Sequence, residues 1–85
     1  MIIQYIFESF FLSVPSGLVV TEDTVYIGLR VVRGDDWQWG DQDGNGEGTV
    51  IAYPVGGWCE VQWDFDGSSY FYRVGSQEKY DLRTA

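Results

Sequence analysis

The sequence predicts an all-β fold, a small SH3-like barrel of about five short strands with a long, ordered first loop. Three observations lead to this prediction. Eighty-five residues allow a single hydrophobic core. Four Trp, six Tyr and five Phe supply large side chains for that core. Eleven Gly against two Pro indicate many turns between short strands.

The predicted strands follow from alternating and β-branched segments that end at turn residues. Gly28 marks a bend in the first strand. The second strand ends at Pro54 and the Gly56-Gly57 turn, and Asp66-Gly67 is typical of a hairpin. The predicted strands are, in order, Val25–Arg33, Gly48–Tyr53, Trp58–Trp63, Ser69–Val74 and a short closing strand Tyr80–Leu82.

Residues 1–24 are predicted to be an apolar N-terminal extension, separate from a domain over residues 25–85. Residues 2–14 are strongly apolar, while Gln4 and Glu8 would give a helix one narrow polar stripe. No Lys or Arg precedes Arg30 and the run is short, which argues against a signal peptide and a membrane span. A helix or added strand, buried on the domain or on a second copy, is the favoured interpretation. A targeting segment or a piece of a larger parent chain are the alternatives.

Charge and composition restrict the possible functions. Thirteen Asp and Glu against five Lys and Arg give a formal net charge of −8, which argues against nucleic acid and favours basic or neutral peptides. A single Cys, Cys59, and no His leave no intrachain disulfide, no structural zinc site and no Ser-His or Cys-His catalysis. We therefore expect no cofactor, and a reducing, cytoplasmic location.

The first loop, Arg33–Gly44, combines two Trp, four Asp, one Arg and three Gly. Exposed indoles would favour aggregation, and carboxylates are not buried without partners. We therefore predict an ordered loop whose indoles pack inward while its carboxylates accept hydrogen bonds from backbone amides and arginines. Arg33 and Arg73 are predicted to form internal salt bridges because so many carboxylates surround them.

Two catalytic or metal-binding interpretations of the carboxylates are weak. Asp41-x-Asp43-x-Asn45-Gly46 resembles the first half of an EF-hand loop, but the twelfth position is Ala52, where calcium needs a bidentate Glu. A glycosidase pair such as Asp36 and Asp64 would need a substrate cleft, for which a domain of this size has little room. We expect no metal site and no enzyme activity in this chain.

The aromatic residues around the loop allow two interpretations. They could form a cage or groove for a peptide that carries a cation, or they could be the core of a small domain. Alternation with Val61 favours a core position for Trp63, whereas Trp37 and Trp39 fit either role. The residues in question are Trp37, Trp39, Trp63, Tyr70 and Tyr72.

Several segments of the chain, in this order, resemble the Mind bomb/HERC (MIB-HERC) domain. They are Gly28–Gly44, Gly48-Thr49-Val50, Val61-Gln62-Trp63-Asp64, Tyr72-Arg73-x-Gly75 and Tyr80-Asp81-Leu82. The similarity extends from about Val25 to Arg83, with an acidic Asn45-Gly46-Glu47 insert. We assign a structural role to the motif residues Arg30, Arg33, Gly34, Gly40, Gly44, Trp63, Asp64, Arg73, Gly75, Tyr80 and Asp81.

The resemblance implies an SH3-like domain of large E3 ubiquitin ligases, in which ubiquitin transfer belongs to a separate RING or HECT domain. In Mind bomb proteins such domains help to recognise the cytoplasmic tails of Notch ligands. We therefore expect a noncatalytic substrate-recognition module for ubiquitination, possessing a groove for a basic peptide tail. The predicted peptide-binding residues are Trp37, Trp39, Asp36, Asp41, Asp43 and Tyr72.

Two alternatives belong to other functional classes. The domain could be a structural spacer that packs against neighbouring domains or self-associates through residues 2–14. A calcium-binding loop protein is the third interpretation, and it predicts a thermal shift with calcium that a chelator reverses.

Overall fold

A computed structural model describes residues 14–85, in which five strands confirm the all-β prediction. No α-helix occurs among these residues, and a single 3-10 turn covers Ser76–Glu78. No described helix is long and apolar enough to cross a membrane. The strands are β1 (Arg30–Arg33), β2 (Gly48–Ala52), β3 (Trp58–Trp63), β4 (Ser69–Arg73) and β5 (Leu82–Thr84).

The strands form one antiparallel sheet in the order β4-β3-β2-β1-β5. This sheet is not closed into a barrel, in contrast to the predicted closure. After β4 the chain turns back, and an isolated bridge joins Val74 to Tyr80 just before β5 begins. The Asp81 amide donates to the Arg73 carbonyl at 2.9 Å in the same region. These contacts bring the two outer strands together locally without forming a ladder between them.

Four of the five predicted strands differ from the structure in their bounds. The second strand ends at Ala52 instead of Tyr53 and the fourth at Arg73 instead of Val74, and the first and last differ more. The first strand begins at Arg30 instead of Val25, because the chain turns at Tyr26–Leu29, where the Leu29 amide donates to the Tyr26 carbonyl. The closing strand is Leu82–Thr84 instead of Tyr80–Leu82. The bounds of this strand are set by its pairing with β1, in which Arg33 pairs with Leu82 and Val31 pairs with Thr84.

The core lies on one face of the sheet. Its fully buried tryptophan, Trp63, confirms the core position predicted from strand alternation. At the same face Trp37 and Trp39 are partly buried and pack against this core. The buried members are Val20, Leu29, Val31, Val50, Cys59, Val61, Trp63, Tyr72, Val74 and Leu82.

The end of the N-terminal extension packs on the domain. Residues 17–20 run antiparallel to β5, with a bridge between Val19 and Arg83 and an amide of Val20 that donates to Leu82 at 3.1 Å. The Val20 side chain is fully buried in the core. The helix or added strand predicted for residues 2–14, and self-association through it, fall on residues outside the described part except for Val14.

Candidate functional site

The first loop is attached to the segment before β5 at its beginning. The Gly34 amide donates to the Asp81 carbonyl at 2.6 Å, and the Asp36 carboxylate accepts the Tyr80 amide at 2.7 Å. A Cβ at Gly34 would lie 2.9 Å from the Leu82 backbone, so only glycine permits this approach. Asp36, predicted to meet a peptide, is thus engaged in holding the loop.

The aromatic side chains of the loop pack on two rings of the sheet. Trp37 stacks on Tyr72, with ring centroids 5.0 Å apart and planes at 21°, and meets Trp63 edge-on at 5.8 Å. Trp39 meets Tyr72 edge-on at 6.2 Å. These four rings form one cluster, which favours the core interpretation over an open cage, although Trp37 and Trp39 keep partly exposed surfaces.

The Tyr72 hydroxyl connects this cluster to the loop. It accepts a hydrogen bond from Trp63 Nε1 at 2.9 Å and donates to Gln42 Oε1 at 2.8 Å. Burial raises the pKa of Tyr72 to about 12. The Tyr72 side chain is fully buried and contacts the loop through Gln42 and Trp37. It therefore has no exposed surface for a peptide in this structure. Sequence reasoning missed Gln42, whose position carries no distinctive pattern.

A second anchor is the ion pair between Arg33 and Asp43. Arg33 donates from Nε and from one terminal nitrogen to the two Asp43 oxygens, each at 2.7 Å. The Asn45 amide donates to the same carboxylate at 3.0 Å. The guanidinium holds the pKa of Asp43 below its usual range, although burial alone would raise it. Asp43 is 1% exposed, so this carboxylate also faces inward.

These contacts account for the residues that resemble an EF-hand. The Asn45 side-chain oxygen accepts from Arg33 at 2.9 Å, alongside Asp43, so a guanidinium occupies the space between these oxygens. Within residues 14–85 no group of three or more His, Cys, Asp or Glu side chains is arranged to hold a metal ion.

The Arg73–Asp81 ion pair is the most deeply buried in the described chain. Arg73 donates from Nε and a terminal nitrogen to the two Asp81 oxygens, both at 2.9 Å, and its own amide donates to Asp81 at 2.8 Å. The Arg73 guanidinium also lies 5.4 Å from the centroid of the Trp39 ring. Both arginines predicted to form internal salt bridges, Arg33 and Arg73, do so.

The other motif residues also have structural contacts. Arg30 binds Asp64 through two hydrogen bonds and Glu47 through one at 3.0 Å. The Gly40 carbonyl accepts the Trp37 indole N–H at 2.9 Å. Gly44 has φ 60° and would place a Cβ 2.4 Å from the Phe65 ring. Gly75 donates its amide to the Lys79 carbonyl at 3.0 Å.

Only some of the residues predicted to bind a peptide are accessible around the first loop. Trp37 and Trp39 are partly exposed, and Asp41 is exposed without a side-chain hydrogen bond to any described residue. Trp39 Nε1 is buried and has no hydrogen-bond acceptor among residues 14–85. Asp41 therefore keeps an accessible carboxylate two residues from Trp39, and its charge helps to raise the pKa of Arg33.

The outer edge of β4 is a second accessible feature, which the sequence did not predict. At the hairpin, the Trp63 amide donates to the Ser68 carbonyl, and antiparallel alternation then directs the backbone groups of Tyr70 and Tyr72 toward β3. The backbone groups of Ser69 and Phe71 consequently point away from the sheet. In the described structure, residues 17–20 cover β5 at the opposite edge, whereas β4 remains open at these two residues.

A family model described as Mib_herc2 matches residues 28–85. The human E3 ubiquitin-protein ligase HERC2 is 55% identical over 62 residues, which cover 69% of this chain and 1% of that protein. The Drosophila melanogaster E3 ubiquitin-protein ligase Ufd4 is 48% identical over 58 residues, 68% of this chain and 2% of that protein. The Gallus gallus E3 ubiquitin-protein ligase MIB2 is 38% identical over 72 residues, 75% of this chain and 7% of that protein. The chain thus corresponds to a small part of each relative.

Proposed function

Because the chain belongs to the Mib_herc2 family, whose domain occurs in E3 ubiquitin ligases, we propose that it is a noncatalytic substrate-recognition module. Its ligand is an extended segment of a partner protein, such as a flexible tail. Ubiquitin transfer is then the task of another part of the parent protein, and this domain selects what is modified.

The open edge of β4 is the observation that carries this proposal. Ser69 and Phe71 direct unpaired backbone donors and acceptors outward, and an extended peptide satisfies such groups by adding a strand to the sheet. The open segment is short, because the Arg73 backbone beyond it is already bonded to Asp81. A peptide strand at this edge would therefore make a few main-chain hydrogen bonds and depend on neighbouring side chains for specificity.

The first loop supplies those neighbouring side chains. Trp39 meets Tyr72 of β4 edge-on, which places its partly exposed indole next to the edge strand. Asp41, two residues further, contributes a carboxylate without a hydrogen-bond partner in the described chain. Aromatic rings give large contact area at low entropic cost, so Trp39 would be the main anchor and Asp41 would select a basic residue.

The distribution of charge supports a basic ligand. All four arginines, Arg30, Arg33, Arg73 and Arg83, form ion pairs with carboxylates of the domain itself. The chain has 13 acidic residues and five basic ones. The described carboxylates that are exposed and form no ion pair are Glu22, Asp23, Asp41, Asp66 and Glu78. Such a surface attracts basic segments and repels acidic ones, mainly through the rate of encounter.

The contacts of the carboxylates also support a noncatalytic role. Asp36 accepts the Tyr80 amide and Asp64 accepts two hydrogen bonds from Arg30, so the pair considered for glycoside hydrolysis is engaged in structural contacts. The thiol of Cys59 is fully buried, and burial raises its pKa to about 12, so it is a poor nucleophile.

Two substitutions at one position test strand addition. Phe71→Ala removes the exposed ring but keeps the outward N–H, whereas Phe71→Pro also removes that N–H without breaking a bond to β3. We expect Phe71→Pro to bind a Notch-ligand cytoplasmic-tail peptide, used as the first probe, about tenfold more weakly than Phe71→Ala does. Circular dichroism of both variants checks that the fold is retained.

The indole N–H resonances locate the bound peptide in the same titration. Trp39 should shift in a saturable manner, while Trp63, which is fully buried, should stay in place. Asp41→Asn should weaken binding roughly threefold, more at low salt, whereas Glu78→Gln at another exposed position should not. Equal affinities for Phe71→Ala and Phe71→Pro would show that the peptide does not use this edge. If no indole shifts with any basic peptide tried, the recognition role itself is wrong.

A further inference from the structure

A second concave site lies away from the first loop. It has a volume of about 240 Å³ and lies between the turn at residues 21–24, the β2–β3 connection and the end of β4. Tyr53 and Trp58 contribute aromatic surface, and Pro54, Val25 and Val74 contribute aliphatic surface. Both residues keep accessible surface: Tyr53 is 52% exposed, and Trp58 is only partly buried. None of the ring contacts within the aromatic cluster of the first loop involves Trp58.

One carboxylate, Glu22, stands at the margin of this site. Its turn is held in place, because the Thr24 and Val25 amides donate to the Thr21 carbonyl at 3.1 and 2.9 Å. The Thr21 amide in turn donates to the Thr24 hydroxyl oxygen at 2.9 Å. The turn directly follows Val20, whose side chain is fully buried in the core, so the backbone at Glu22 is attached to the domain.

The contacts of Glu22 leave its charge available. Glu22 Oε1 lies close to Gly75, 3.1 Å from where a Cβ of that residue would be, but it forms no ion pair with any described residue. The four arginines are paired elsewhere, and Lys79 is the one further basic residue of the chain. Two aromatic rings, an aliphatic floor and a free carboxylate therefore meet at one concavity.

We propose that this site binds an alkylammonium group, a lysine side chain of a partner protein in its free or methylated form. The methylene stem of such a side chain matches the aliphatic floor, and its cationic end is attracted by the faces of Tyr53 and Trp58. Glu22 supplies the compensating negative charge. A neutral side chain of similar length would bury the same apolar area but would gain neither of these attractions.

The site is independent of the peptide-binding role proposed for the first loop. That role uses the open edge of β4 together with Trp39 and Asp41, whereas this site uses Tyr53, Trp58 and Glu22. Either can fail without affecting the other, and the tryptophan resonances separate them. A ligand in the second site shifts the Trp58 indole N–H and leaves Trp39 unchanged.

Three capped pentapeptides test the proposal. Each has lysine, trimethyllysine or acetyllysine at the central position and glycine at the other four. In titrations of the full chain, we expect the lysine and trimethyllysine peptides to shift the Trp58 indole N–H resonance in a saturable manner. The acetyllysine peptide, which is uncharged but of similar shape, should bind at least about tenfold more weakly. Such a difference isolates the cationic charge from burial of the stem.

Substitutions at the margin complete the test without disturbing β3. Glu22→Gln and Tyr53→Ala should each weaken binding of the trimethyllysine peptide about fivefold. Tyr26→Ala, at a tyrosine of similar exposure outside this site, should leave affinity unchanged. The proposal is overturned if acetyllysine binds as well as lysine, if Glu22→Gln has no effect, or if none of the peptides moves the Trp58 resonance.

Discussion

Substitution of Asp81 by Asn tests whether the buried ion pair stabilises the domain. Asp81 is inaccessible to solvent and accepts three hydrogen bonds from Arg73, two from the guanidinium and one from the backbone amide. Asn has nearly the same shape but carries no charge, so the guanidinium of Arg73, whose side chain is 5% exposed, would lose its counter-ion. Breaking a buried pair in this way costs about 3–5 kcal/mol of unfolding free energy.

The size of this effect is large for an 85-residue domain. Total stabilities of about 5–15 kcal/mol are typical, so Asp81→Asn should remove a major fraction. With about 4–8 °C of melting temperature lost per kcal/mol, we expect Tm to fall by roughly 12 °C or more. Urea unfolding followed by tryptophan fluorescence and by circular dichroism measures the same loss as a lower midpoint.

The Arg83–Asp35 pair provides a matched control. Arg83 also donates to both oxygens of its partner, at 3.3 and 2.7 Å, but the side chains of Arg83 and Asp35 are 33% and 74% exposed. Water replaces the lost interaction at such a position, so Asp35→Asn should leave the midpoint close to that of the wild type. Equal losses for Asp81→Asn and Asp35→Asn would refute the argument that burial decides the contribution of these pairs.

Three further predictions concern single side chains. Trp37→Phe should lose about 1 kcal/mol more stability in urea than Trp39→Phe, because the Trp37 indole N–H has a hydrogen-bond acceptor among the described residues and the Trp39 indole N–H has none; equal losses would contradict this. Asp43, whose pKa Arg33 lowers, contributes stability above its unfolded pKa of about 3.9 and loses it as pH falls through the lower folded pKa. The urea midpoint of Asp43→Asn should therefore depend less on pH below about 4 than that of the wild type. Cys59, whose thiol pKa burial raises to about 12, should react with Ellman's reagent at neutral pH only after unfolding.

The strands were largely predictable because alternation reports burial directly. Cys59, Val61 and Trp63 alternate along β3 and all three are buried on the core face. The register of β5 was not predictable, since three residues contain too little pattern to choose between Tyr80–Leu82 and Leu82–Thr84. Local sequence patterns could not predict whether the sheet closes into a barrel, because closure depends on how closely the two edges of a twisted sheet approach each other.

The candidate site was only partly predictable, for a physical reason. Composition indicated that the carboxylates and arginines of the first loop would pair, and Arg33 with Asp43 does so. Composition did not indicate which aspartates would remain free. Asp36 and Asp43 are engaged in holding the loop, whereas Asp41 remains exposed. Peptide binding by the predicted residues stays a prediction.

The sequence by itself determined an acidic, all-β domain of the Mib_herc2 family, because charge, alternation and motif order are properties of the chain alone. Only the tertiary structure decided which groups are available to a ligand. Availability depends on contacts between residues far apart in sequence, such as the Asp36 carboxylate with the Tyr80 amide and the Tyr72 hydroxyl with Gln42. The open edge of β4 and the grouping of Glu22 with Trp58 arise in the same way, from neighbours that only folding creates.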